Sequence, residues 1–310
     1  MENHSVRRLF TGRFSMPAIA VLCTLLWGSA FPFVKLGYAA FGFTATTGAP
    51  AKLLFAGLRF GFAGLLVLVL GSLQAKRPLL PARSAALPVL LTALVQTVAQ
   101  YVFFYIGLSN TTGTLGSILT STTAFFVVLA APVFSRGDRI TATGLAGSLI
   151  GFCGVFWAAG GAALTFHLTG EGFMLLSALA SAGGALLSRR FAQTIPPLLL
   201  TGWALFLGGA ALAVAGALLG GRLAVVSAQG IALLCYLVLL SAVAFSLWTT
   251  LLKYNPAGRV AVFNFFIPLF GTVLSVLLLG EDTLQPRILG ALVLVCAGIA
   301  LVNYKKENKQ

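Results

Sequence analysis

The sequence predicts an all-α integral membrane protein with ten transmembrane helices arranged as two inverted five-helix repeats. Three observations predict it. Hydrophobic residues make up 59% of the 310-residue chain and charged residues only 8%, where a soluble domain carries about 25% charged residues. The apolar residues fall into ten runs, each near the length of about 20 residues that crosses a hydrocarbon core. The chain also matches itself. One apolar run ends at Gly137-Asp138 and resumes as G-L-A-G-S-L-I-G-F-C-G; another ends at Gly280-Glu281 and resumes as I-L-G-A-L-V-L-V-C-A-G. Setting Asp138 against Glu281 therefore sets Gly147 against Gly290 and Cys153 against Cys296, the signature of an internal repeat.

The expected spans are 16–38, 50–71, 85–107, 113–134 and 140–160, then 170–190, 198–219, 228–251, 258–279 and 287–304. Short connections separate them, marked by Lys76-Arg77-Pro78, Arg136-Gly137-Asp138-Arg139, Ile195-Pro196-Pro197 and Asn255-Pro256. The chain so divides into an N-terminal segment 1–15, a first repeat 16–160, a loop 161–169, a second repeat 170–304 and a basic tail 305–310. The run after Arg13 continues past Trp27 for long enough to span, so it reads as the first helix and not as a cleaved secretory leader. With these spans, one side of the membrane holds only Lys35, Lys52, Arg222 and Arg287, and Arg59 lies inside a span. The other basic residues, from Arg7 to Lys309, fall on the side of the N-terminus, which the positive-inside rule makes cytoplasmic, together with the C-terminus. Because five is odd, the second repeat enters the membrane upside down. Inverted repeats place a substrate site near the midplane and let the two faces open alternately.

Other function classes fit poorly. The net charge of +14 lies in short clusters at span ends, so no nucleic-acid partner is implied. Cys23, Cys153, Cys235 and Cys296 all fall inside apolar runs, away from the oxidised surface where structural disulfides form. His4 and His167 are the only histidines, so no metal site and no cofactor is expected. A lipid-acting enzyme needs a nucleophile with its base or paired carboxylates. Glu171 and His167 at a span edge read instead as a capping carboxylate and a loop histidine, so no enzyme activity is expected. No G-x-x-x-x-G-K loop is present for nucleotide-driven transport.

Three stretches carry a family likeness: W-G-S-A-F-P-F-V-K at Trp27–Lys35, L-R-F at Leu58–Phe60 and L-G-E-D at Leu279–Asp282. In this order and at this length, over roughly residues 17 to 303, the chain resembles the drug/metabolite transporter superfamily, in particular its ten-helix branch with two EamA domains. The resemblance implies a transporter of small polar metabolites, amino acids or related organic anions, acting as an exporter. It would be a multi-pass protein of a cell inner membrane, in contact with the lipid bilayer and its small-molecule substrate, and working as a monomer or homodimer. An exporter of amphipathic drugs or a lipid flippase is the alternative, favoured by the 25 phenylalanines.

The candidate residues follow span by span. Thr24, Gly28, Phe31 and Lys35 share one face of the first helix. Pro32 interrupts its hydrogen-bond ladder, which predicts a kink and a gating role for Gly28 and Pro32. Lys35, near the far end, either contacts substrate or reaches out to the headgroups. Arg59 costs about 2.5 to 3.5 kcal/mol to insert and has no acidic partner in the spans except Glu171 at an edge. It either bonds neighbouring helix ends, as the Arg-Phe pair common in the resembling family suggests, or holds an anionic substrate. Thr92, Gln96 and Gln100 form a polar line followed by Tyr101, expected to face a wet cavity. Ser117, Thr120, Ser121, Thr122 and Thr123 in the fourth span match the stretch of the ninth that carries Asn264, Pro268, Thr272 and Ser275. Ala124 stands opposite Pro268, a second gating candidate; the resembling family commonly has a proline after the Ser/Thr run of the first half, so Ala124 is a departure from it. Ser177, Ser181 and Ser188 line one face of the sixth span, and Ser241, Phe245 and Trp248 one face of the eighth. Trp27 and Trp248 are candidates for stacking on substrate, and Trp203 is an interface residue. The substrate-binding set is thus Trp27, Lys35, Arg59, Gln96, Gln100, Tyr101, Thr120, Thr123, Ser181, Trp248 and Asn264.

Overall fold

The computed structural model describes residues 4–44, 46–110, 119–134, 140–158, 167–279 and 286–303, and all regular structure among them is helical. The loops that carry Asp138 and Glu281, Ser117, most of the loop 161–169 and the basic tail lie outside the described residues, as does the side chain of Thr272. Seven helical segments are long and apolar enough to cross a membrane and three further apolar helices are shorter, which together gives the ten expected spans.

Span 1 is Ser15–Ala40 and span 2 is Ala49–Ala75, with Pro50 in its first turn. Span 3 runs from Arg83–Thr92 through a π-helical stretch, Ala93–Ala99, into Gln100–Ser109. Span 4 is Leu119–Phe134, with a turn at Thr122 before its main helix Thr123–Phe134. Span 5 is Ala142–Ala158. Span 6 opens on a π turn, Leu168–Gly172, and continues as Phe173–Phe191. Span 7, Pro197–Leu218, starts on proline, whose missing N–H costs nothing in a first turn. Span 8, Ala228–Tyr254, is capped by Ser227, whose hydroxyl accepts the Gly230 N–H at 3.0 Å. Span 9 is broken into Ala257–Ala261, a 3-10 turn Val262–Phe265 and Phe266–Leu279, and span 10 is Pro286–Asn303. Ahead of span 1, a short helix, His4–Thr11, packs against spans 1 and 8.

Span 1 passes through Pro32 as one continuous helical segment. One correction concerns local shape. Span 6 begins at Leu168, inside the expected loop 161–169, because Glu171 accepts the His167 N–H at 2.6 Å and so closes the first turn.

The packing obeys a two-fold rule. Span 1 packs on spans 8 and 9, and span 6 packs on spans 3 and 4. These pairs exchange when each span of one repeat is replaced by its counterpart in the other. Spans 2 and 7 pair with each other, as do spans 5 and 10, so these contacts map onto themselves. Bonds at both ends fix the alternation of direction. On the N-terminal face Trp203 Nε1 donates to the Leu79 carbonyl at 2.7 Å, and on the far face Val225 N donates to the Phe41 carbonyl at 3.1 Å.

Spans 2 and 7 touch backbone to backbone. A Cβ at Gly64 would stand 2.6 Å from the Gly202 carbonyl oxygen, and one at Gly57 would stand 2.7 Å from that of Gly209. Spans 5 and 10 meet the same way at Gly147, Gly151 and Gly298. In lipid, where association has no hydrophobic drive, such close approach is how helices gain contact. Outward faces carry exposed apolar side chains such as Leu73, Val133 and Val293, and the thiols of Cys153, Cys235 and Cys296 are exposed among them while Cys23 is buried.

Replacing Gly64 by valine is expected to lower thermal stability in detergent by about 1 to 3 kcal/mol, since neither backbone can yield. Gly290→Ala, where a Cβ meets no atom within 4 Å, is expected to leave the melting temperature unchanged or slightly higher.

Candidate functional site

Arg59 sits on span 2, is 5% exposed, and donates from Nε to the Ser241 hydroxyl of span 8 at 2.8 Å. Ser241 in turn donates to the Leu237 carbonyl at 2.8 Å, so its oxygen is aimed at the arginine by its own helix. That bond is one of several that join the two repeats. The two Nη groups of Arg59 make no hydrogen bond to any described residue. Its guanidinium carbon lies 4.9 Å from the ring centre of Phe60, and Tyr38, Tyr101 and Tyr105 stand within electrostatic reach of it.

Around this cation the rings form a continuous wall drawn from spans 1, 2, 3 and 8. Phe60 and Tyr101 are 4.3 Å apart between centroids, and Tyr101 and Tyr105 are 6.3 Å apart. Trp27 meets Phe245 at 5.2 Å and Trp248 at 5.0 Å, edge to face in both cases. The indole N–H of Trp27 is buried there without a hydrogen-bond partner. A buried donor left unpaired costs about 1 to 3 kcal/mol, which a polar ligand between the repeats would relieve.

A second feature lies across span 1. A small cleft, open on one side, is lined by Phe31, Thr120, Ser121, Asn264, Ile267 and Pro268. The repeat explains it: the shift that sets Ala124 against Pro268 sets Thr120 against Asn264. Each half breaks its helix at this depth, with a turn at Thr122 in one and the 3-10 turn Val262–Phe265 in the other. The two breaks therefore face each other near the pseudo-two-fold axis. The Oδ1 atom of Asn264 is buried without a partner, and so is the Thr123 hydroxyl.

The structure therefore gathers Trp27, Arg59, Tyr101 and Trp248 into one cluster and Thr120, Asn264 and Pro268 into another. Gly28 abuts span 9: a Cβ there would stand 2.6 Å from that of Phe270 and 3.1 Å from the Ile267 carbonyl oxygen. The polar line of span 3 is not a single wet face. Thr92 donates to its own Pro88 carbonyl at 2.9 Å, and Gln96 accepts from Ser188 of span 6 at 2.8 Å. Gln100 accepts at its carbonyl from Ser177 at 2.9 Å. The π stretch makes room for this contact, with Gly184 seated on the Gln96 side chain. Ser181 is half-buried and joins neither cluster in a described hydrogen bond, and Lys35 is exposed at the far end of span 1.

Sequence reasoning missed Tyr38, Phe60 and Tyr105. Two signals pointed to them: Tyr105 is one helical turn beyond Tyr101, and Tyr38 is three turns beyond Trp27 on the same face.

Comparison with known proteins gives a consistent picture. A profile described as the EamA-like transporter family matches residues 15–160 and 168–304, one match to each repeat. A WAT1-related chloroplastic protein of Arabidopsis thaliana is 27% identical over 258 residues, which is 79% of this chain and 61% of that protein's length. An uncharacterized transporter of Archaeoglobus fulgidus is 27% identical over 298 residues, covering 94% of this chain and 98% of its own. A solved crystal structure superposes with a TM-score of 0.77 at 21% identity, over 94% of this chain and 97% of the other, and so shares the fold. The family and the names point to a transporter rather than an enzyme.

Removing one partner of the Arg59–Ser241 bond strands the other. Ser241→Ala is expected to cost about 1.5 to 3 kcal/mol, the range for a hydrogen bond to a charged group. In a double-mutant cycle with Arg59→Met, read from thermal unfolding, the double variant is expected to lose at least about 1 kcal/mol less than the sum of the single losses.

Proposed function

The chain belongs to the EamA-like transporter family, and from that premise we propose that it carries small polar metabolites with a carboxylate or similar anionic group across the membrane. Amino acids and related organic anions are the class in view. Transport runs by alternating access between the inverted repeats, and Arg59 is the anchor for the anion. The observation that carries this reading is the single hydrogen bond of a guanidinium buried between the repeats, which leaves its paired Nη donors for a bidentate carboxylate. The aromatic wall supports the same reading: it excludes water, strengthens the charge pairing, and offers stacking faces to the remainder of the substrate.

The direction is export, from a cell inner membrane in which both termini are cytoplasmic. The orientation is supported by the clustering of Lys and Arg at the N-terminal face. The broken helices at Thr122 and Val262–Phe265 support alternating access, because discontinuous helices at corresponding positions of the two halves are where such carriers bind and hinge.

A thermal-shift screen of the detergent-purified protein against amino acids, dicarboxylates, nucleosides and hydrophobic cations tests the proposal. An anionic or zwitterionic metabolite at about 100 times its Kd is expected to stabilise the parent by about 2.7 kcal/mol and to leave a folded Arg59→Gln protein unshifted. Stabilisation by hydrophobic cations alone, unchanged in Arg59→Gln, would sink the anion reading in favour of amphipathic export.

A further inference from the structure

The short helix ahead of span 1 carries apolar and basic side chains on different sides. In His4–Thr11, Val6, Leu9 and Phe10 stand three and four residues apart and form one apolar stripe, while Arg7, Arg8 and Thr11 take the rest of the circumference. The protein covers one edge of that stripe. Phe10 is 7% exposed; its ring lies 6.3 Å from that of Tyr254, and its carbonyl accepts from Asn255 Nδ2 at 2.9 Å. The end of span 8 thus holds the helix at a fixed rotation. Val6 and Leu9 remain 37% and 52% exposed, and Phe14 just beyond the helix is 82% exposed.

The place of the helix in the chain determines what covers these side chains. Residues 12–14 alone separate it from span 1, and they are wound in a turn: the Gly12 N–H donates to the Arg8 carbonyl at 2.9 Å and the Met16 N–H to the Gly12 carbonyl at 3.1 Å. Three residues reach at most about 10 Å even when extended, so the exposed stripe stands where the chain enters the hydrocarbon, in the headgroup layer. Arg7, Arg8 and Arg13 are exposed beside it, and the Arg13 guanidinium carbon lies 5.8 Å from the Phe14 ring centre. An apolar stripe flanked by arginines is the make-up of a helix that lies in the membrane surface, with its apolar side at the acyl boundary and its cations among the headgroups. Three cations so close in sequence favour anionic headgroups over zwitterionic ones.

We propose that the N-terminal helix is an in-plane anchor that docks on the anionic phospholipids of its leaflet. Val6, Leu9 and Phe14 enter the acyl boundary, and Arg7, Arg8 and Arg13 meet the phosphates. Because the same helix is bonded to the C-terminal end of span 8 through Phe10 and Asn255, lipid held there braces a span that packs on spans 1 and 2. This assignment rests on the membrane fold and on no part of the substrate reading, so the two succeed or fail separately.

Hydrogen–deuterium exchange of the full-length protein in lipid nanodiscs tests the anchor, with discs of phosphatidylcholine alone or mixed with phosphatidylglycerol. The amides of residues 5–14 are expected to exchange at least about fivefold more slowly in the anionic discs, the scale of one basic residue near an anionic surface. A triple variant, Arg7→Gln with Arg8→Gln and Arg13→Gln, is expected to lose that difference. Lys76→Gln with Arg77→Gln, which removes charge from the same face at the end of span 2, is expected to keep it. Parental protection of spans 2 and 7 shows that each variant is folded. Equal exchange in the two kinds of disc, loss of the difference in the Lys76 and Arg77 variant as well, or equal slowing by inorganic phosphate in phosphatidylcholine discs overturns the proposal.

Discussion

Two contacts in this protein leave no room between backbones. Spans 2 and 7 meet through Gly57, Gly64, Gly209 and Gly216, and spans 5 and 10 through Gly147, Gly151 and Gly298, at distances no Cβ tolerates. Both pairs map onto themselves when the repeats are exchanged. They are therefore the same contact in either state of an alternating carrier, and tight packing there costs the transport cycle nothing. The remaining spans, 1, 3, 4, 6, 8 and 9, pack in pairs that trade places under the same exchange, and in an alternating carrier these are the ones that would take two arrangements.

Arg59 stands at the junction of the two classes. It is rooted in span 2, part of the fixed scaffold, yet its hydrogen bond and its aromatic neighbours belong to spans 1, 3 and 8. A ligand bridging the guanidinium to those rings would touch fixed and moving parts at once. That is the physical requirement for a substrate to bias an equilibrium between states, since a ligand shifts it only by binding one arrangement better than the other.

The fold was legible because the bilayer imposes it: no backbone group can go unpaired in hydrocarbon, so ten apolar runs must be helices, and the alignment of Ala124 with Pro268 already paired Thr120 with Asn264. Arg59 was legible because a cation in an apolar run is costly whatever surrounds it. The fate of Gln96 was not. Gln96 bonds Ser188 because the π stretch Ala93–Ala99 makes room for the crossing of span 6, a register change that no local preference in A-L-V-Q-T-V-A announces. Tyr38 and Tyr105 were hidden for a different reason: tyrosine in an apolar span reads equally as lipid-facing, and only the packing of spans 1, 2 and 3 turns them inward.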